Sequence, residues 1–149
     1  MGGGALLADD RRLVRRLGLA DVVELPGFVP DSFAYLRRAD VFVLPSLEEG
    51  SGSLSLLEAL QAGVAVVASA VDGIPEDVTD GESALLVKPG DAEALAAALA
   101  SLLADAGLRG RLARAGHDTF LRRFSAVAFA RALCEAYGEL GITPGEAGP

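Results

Sequence analysis

The chain has 149 residues, 51% of them hydrophobic and only 5% aromatic, which supports one domain with an aliphatic core and excludes a disordered chain. Its formal net charge of -8 comes from 13 basic and 21 acidic residues, and the arginine pairs Arg11–Arg12, Arg15–Arg16 and Arg122–Arg123 lie on helical patterns rather than in a basic run. Nucleic-acid binding, which needs a concentrated basic face, is therefore not expected.

The single cysteine, Cys134, allows no intrachain disulfide and points to a reducing compartment, so a cytoplasmic location is the expectation. Its Ala/Leu helical surroundings place it in or partly in a core and give it no basic partner to activate the thiol. No apolar run approaches the roughly 18 residues of a membrane span, so no transmembrane segment is expected.

In chain order, Met1–Gly4 is a glycine-rich start, read as a leader or as the remains of a glycine turn. Leu13, Val14 and Leu17 among Arg and Asp give an amphipathic helix over Ala8–Leu17, with Asp9 and Asp10 at its positive end, Arg15 and Arg16 at its negative end, and Gly18 closing it. Val22–Leu25 reads as a short strand stopped by Pro26-Gly27. Asp31 is a candidate N-cap for a short helix through Arg38. Val41–Leu44 is a second strand.

Pro45–Gly63 follows: two carboxylates (Glu48, Glu49), the small-residue loop Gly50-Ser51-Gly52-Ser53, and a helix from about Ser53 to Ala62 bearing Glu58. A strand, a glycine loop and a helix N-terminus form a corner suited to an anion, because loop and first-turn N–H groups can converge on one phosphate. Carboxylates beside it are free to hold sugar hydroxyls through charge-assisted hydrogen bonds. Phosphate plus sugar suggests a nucleotide or a nucleotide-sugar.

Val64–Ala68 is a continuous apolar, largely β-branched strand, the pattern of a parallel strand buried on both faces. Asp72–Glu76 is a loop leading into a short helix with Pro75 in its first turn, and Ala84–Val87 is a fourth strand. Pro89-Gly90-Asp91 caps an Ala/Leu-rich helix over Ala92–Leu103 whose stripe is read as core. Helices are expected over Leu108–Arg123 and Ser125–Leu140, and residues 141–149 as a flexible tail. Strands alternating with helices predict an α/β fold: a Rossmann-like parallel sheet with helices on both faces, in a single domain over residues 1–140. In such sheets ligands bind beyond the carboxyl ends of the strands, where the loops Pro26–Pro30, Pro45–Ser53 and Ser69–Glu76 are expected to converge.

The same residues resemble the C-terminal half of a retaining GT-B glycosyltransferase of the family 4 type. The resemblance runs through Val23–Val29 (V-x-x-x-G-x-V), Ala39–Ser46 (A-D-V-x-V-x-P-S), Glu49-Gly50 with Leu57-Glu58-Ala59-Leu60 and Gly63, Val66–Ser69, Gly73–Glu76, Asp80-Gly81 and Val87–Asp91, and covers roughly Gly18 to Phe124. It implies a domain that binds a nucleotide-diphosphate-sugar donor and no separate cofactor. Glu58 would hold the ribose hydroxyls. Glu49 would stand beside the donor sugar as the catalytic carboxylate. The amides around Gly50, Ser51, Gly52, Ser53 and Leu54 would hold the diphosphate, and Gly27, Phe28 and Val29 would border the base.

Eight residues separate Glu49 from Glu58, one more than the family pattern, so the loop is expected to bulge. The family's upstream Arg and Lys are absent from the matched region, and Lys88, the one lysine, lies elsewhere. The resemblance thus implies an N-terminally truncated domain, inactive without an acceptor-binding N-terminal partner half and open to homodimerisation through its sheet edge. The alternative is a non-catalytic nucleotide-binding or interaction module of the same fold.

Taken alone, Glu49 and Glu58 read as solvated carboxylates, and Gly50 and Gly52 as turn glycines. Asp72 and Glu76 read equally as ligand contacts or as caps of the short helix. His117, the lone histidine, reads as a surface residue. No Cys/His cluster suggests a metal site and no Ser/His/Asp set suggests hydrolysis.

Overall fold

Apolar runs bounded by turn residues become strands here, and apolar stripes at helical spacing become the helices that cover them. A computed structural model describes residues 4–50 and 52–140. It divides into two compact units, one ending at Tyr35 and the other beginning at Leu36.

The first unit carries α1 (Leu7–Arg16), with Asp9 and Asp10 in its first turn and Arg15 and Arg16 in its last. Gly18 closes it in the left-handed region at φ 69°. Val22–Leu25, expected as a strand, is not one: the Val22 and Val23 amides both donate to the Leu19 carbonyl, at 3.1 and 2.9 Å. N–H groups committed to a turn cannot enter a ladder, and β-branched side chains alone do not make a strand. Asp31 caps α2 (Ser32–Leu36) as expected, its carboxylate accepting from the Ala34 amide at 3.0 Å.

The second unit contains a three-stranded parallel sheet, β1 (Val41–Leu44), β2 (Ala65–Ser69) and β3 (Leu85–Val87), in the order β1-β2-β3. Leu44 pairs with Ala68, and Ser69 with Val87, so the carboxyl ends of the three strands lie side by side. Every residue of β2 is buried. Because side chains alternate along a strand, burial at all five positions means that both faces are covered. On one face Ala65 and Val67 pack with Leu102 of α5 (Ala92–Ala104) and Leu112 of α6 (Ala106–Arg123). The α/β fold read from the sequence is the fold observed.

The helix α3 (Leu54–Ala62) joins β1 to β2 and buries Leu56, Ala59 and Leu60. Gly63 ends it at φ 68°, its amide donating to the Leu60 carbonyl while the Val64 amide reaches back to Ala59, and this closes the last turn. The short α4 (Ile74–Asp77) lies between β2 and β3. In α5 the core stripe is narrower than the expected Ala92–Leu103: Leu95, Ala98, Leu99 and Leu102 face the sheet, whereas Leu103 is 65% exposed. Those positions follow i, i+3, i+4, i+7, and Leu103 falls outside that stripe.

His117, expected at the surface, is half-buried on α6, with Nδ1 3.2 Å from the Leu60 carbonyl at the end of α3. Cys134, expected in a core, is exposed on α7 (Ala126–Glu139), a helix with no buried residue. The proposed remnant turn at Gly2-Gly3 and the tail at 141–149 lie outside the described residues.

The helices α3 and α6 meet closely at Gly116, where an added Cβ would stand 2.9 Å from Leu60 Cδ2 and 3.0 Å from the Ser83 carbonyl oxygen. Alanine favours a helix over glycine by about 1 kcal/mol, but overpacking a tight core costs about 1–3 kcal/mol. Gly116→Ala should therefore lower the stability measured by denaturant unfolding; a more stable variant would show that this contact is loose.

Candidate functional site

The parallel register sets the loops after β1, β2 and β3 along one edge. The β1 loop carries Glu49, half-buried, whose carboxylate accepts a hydrogen bond from the Ser46 hydroxyl. Next comes Gly50 at φ 69°, and Gly52 lies at φ 145°. Both angles lie in the region that side-chain-bearing residues rarely adopt, which suits glycine at these two positions. Ser51 lies outside the described residues.

Ser53 is buried and caps α3: its hydroxyl accepts from the Leu56 amide at 3.5 Å and lies 3.0 Å from the Ser55 hydroxyl. The remaining first-turn amides of α3 have no partner within the helix, which leaves them suited to an anion. Leu54 opens the helix with its side chain 81% exposed, and Glu58 sits one turn further along, half-buried. Gly27, Phe28 and Val29 belong to the first unit. Gly27 is buried at φ 76°, its absent Cβ position 3.6 Å from Leu7 Cδ2, Phe28 is 80% exposed and Val29 is half-buried.

The β2 loop supplies Asp72, which is not the N-cap residue of α4. Its Oδ2 accepts from the Glu49 amide at 2.7 Å and from the Gly50 amide at 3.0 Å. The residue ahead of α4 is Gly73, which makes no side-chain cap. The Glu49 and Gly50 amides thus converge on one carboxylate oxygen, an anion-holding geometry made by backbone alone. The Gly50 amide, expected on a phosphate, is spent on Asp72.

The β3 loop adds Lys88 and Gly90 to this edge. Pro45, Ser69, Val87, Lys88, Gly90 and Leu95 line a cavity of about 140 Å³ at the carboxyl ends of all three strands. An added Cβ at Gly90 would lie 3.7 Å from Leu47 Cδ2, so the β3 and β1 loops meet there. The signal for Lys88 was its place directly after a strand's carboxyl end.

A family model for glycosyl transferases group 1 matches residues 1–105. The chain belongs to that family. It is 35% identical over 140 residues to the lipopolysaccharide core biosynthesis glycosyltransferase LpsE of Rhizobium meliloti, an alignment that covers 94% of this chain and 40% of LpsE. The chain thus spans about two fifths of the length of that curated relative. Among solved structures it is similar to the C-terminal domain of a group 1 glycosyl transferase, LpcC, from Francisella tularensis (30% identity, TM-score 0.72, 80% of this chain and 62% of that one). It is also similar to Anabaena Alr3699/HepE, solved in complex with UDP (25% identity, TM-score 0.82, 89% of this chain and 36% of that one). The fold is that of the C-terminal half of a GT-B glycosyltransferase. Among the described residues no helix is long and apolar enough to cross a membrane, and no group of three or more His, Cys, Asp or Glu is placed to hold a metal ion.

Following Asp72, α4 is tied to the last turn of α6 by Arg123, whose Nη1 donates to the carbonyls of Glu76 at 2.7 Å and Asp77 at 3.1 Å, and which stacks on the Phe124 ring at 4.8 Å. Burial raises the Asp77 carboxyl above its ordinary 3.8, against the lowering effect of Arg123 4.0 Å away and with a further rise from Glu76. A carboxyl raised on folding holds its proton more tightly in the folded state. Its contribution to stability is therefore full below about pH 3.8 and is lost as pH rises through the folded value. Melting temperatures of the wild type and Asp77→Asn between pH 3 and 7 should show the wild type losing ground to the variant as pH rises. A gap that moves the other way would mean that the Arg123 pair outweighs burial.

Proposed function

We propose that this chain is the donor-binding domain of a glycosyltransferase that moves a sugar from a nucleoside-diphosphate-sugar to an acceptor with retained anomeric configuration, as family 4 enzymes do. The observation that carries the proposal is the anion-holding edge beyond β1 and β2. Loop amides there already converge on a carboxylate, a capped helix begins at once, and Glu58 lies one turn into it. On this reading the amides from Gly52 to Leu54 and the α3 N-terminus hold the diphosphate, helped by the helix dipole. Gly50 keeps its amide on Asp72.

Glu58 accepts from the ribose hydroxyls, and Glu49 stands beside the donor sugar at the reacting centre. The donor itself supplies the leaving group, so the reaction requires no separate cofactor. The acceptor is held by a partner half, without which the isolated chain binds donor but transfers nothing. The UDP bound by Alr3699/HepE, a similar protein, makes a uridine nucleotide the first to try.

Calorimetric titration of the chain with UDP-glucose and GDP-mannose tests this. Binding of at least one is expected, and Glu58→Ala should weaken it by about 1–3 kcal/mol, the worth of charge-assisted hydrogen bonds to hydroxyls. Equal affinity in the variant would remove Glu58 from the ribose.

A further inference from the structure

Glu49 can act beside a donor sugar only if its loop is held in place, and the loop's own sequence argues for mobility: two glycines, two serines and an added residue. The constraint comes from a neighbouring loop. The strands β1 and β2 are paired up to Leu44↔Ala68, so the segments leaving them run side by side. Asp72 stands three residues beyond the end of β2 and spends one carboxylate oxygen on two successive amides of the β1 loop, those of Glu49 and Gly50. To do so it adopts φ 47°, the left-handed region, which aspartate and asparagine tolerate better than most residues. The α4 N-cap residue is Gly73, so the Asp72 carboxylate is not the cap of that helix. At its other end Glu49 is held by the Ser46 hydroxyl on its carboxylate.

We infer that Asp72 is a positioning residue for Glu49: it fixes the backbone of that carboxylate-bearing residue through its own amide, and with it the preference for a sugar-bearing donor over the bare nucleotide. The inference rests on the donor-binding reading for its functional half; the clamp itself does not. Asp72 acts on this reading through the Glu49 and Gly50 amides. Fixing the loop in advance means that the donor sugar does not have to order it, which is how preorganisation strengthens binding.

Two variants separate the clamp from general folding. Asp72→Gly accepts φ 47° without strain and removes the acceptor. Asp72→Asn also tolerates that backbone and keeps a carbonyl oxygen to accept both amides. Hydrogen exchange on the chain without ligand should show the Glu49 and Gly50 amides exchanging about tenfold faster in Asp72→Gly, the scale of lost charge-assisted bonds, with β2 amides unchanged. Asp72→Asn should restore most of the protection. Calorimetry should show the UDP-glucose to UDP affinity ratio falling toward one in Asp72→Gly and recovering in Asp72→Asn, while affinity for UDP itself holds. Unchanged exchange at Glu49 and Gly50 in Asp72→Gly overturns the clamp. Faster exchange with an unchanged affinity ratio, or an Asn variant as impaired as the Gly variant, overturns its role toward the sugar. A wild type that binds neither UDP nor UDP-glucose sinks the donor reading instead, and the exchange result then decides the clamp alone.

Discussion

Burial of β2 on both faces is the constraint on which the rest of the second unit depends. Ala65 to Ser69 carry no charge and leave no face to solvent, so helices must cover both sides of the strand, and β1 and β3 must satisfy its backbone on either edge. Parallel pairing at both edges then sends all three strands out in one direction. The loops that follow cannot avoid one another: Asp72 reaches the β1 loop, and Gly90 of the β3 loop lies against Leu47. A binding edge is thus a consequence of how an apolar strand is buried, and the polar chemistry is added by the loops.

The chemistry on that edge divides into backbone and side chain. Backbone amides at Glu49 and Gly50 show what the β1 loop does with negative charge, since they already hold a carboxylate. The α3 N-terminus, capped by Ser53, adds further donors together with the positive end of a helix dipole. On the proposed reading, the carboxylates of Glu49 and Glu58 are the complementary acceptors for hydroxyls. Donors for phosphate and acceptors for sugar, side by side, suit a nucleotide-sugar better than either component alone.

Much of this was legible in the sequence because it rests on local pattern. The β-branched run at Val64–Ala68 announced a strand buried on both faces, and Ser53 and Gly63 announced where α3 begins and ends. Val22–Leu25 had the composition of a strand, but its amides close a turn onto Leu19, and composition cannot report where an N–H points. Cys134 was expected in or partly in a core from its Ala/Leu surroundings, yet it is exposed, as are Phe129, Leu133 and Tyr137 on the same helix, because apolar residues state a need for cover without supplying it. The Asp72 contact joins residues 22 and 23 positions apart through one side-chain oxygen, which leaves no periodicity to read. Lys88 was set aside because it is not the family's upstream lysine, although its position after β3 puts it on the carboxyl edge of the sheet.

The central claim is that a donor nucleotide sits on the carboxyl edge of the sheet, against the β1 loop and the start of α3. Titrating the ¹⁵N-labelled chain with UDP and following its amide resonances tests it most directly. The account predicts that the largest shifts fall on Gly52 to Glu58, with α7 unaffected. Shifts centred on α7 or on the far ends of the strands, or none at all at saturating UDP, would contradict it.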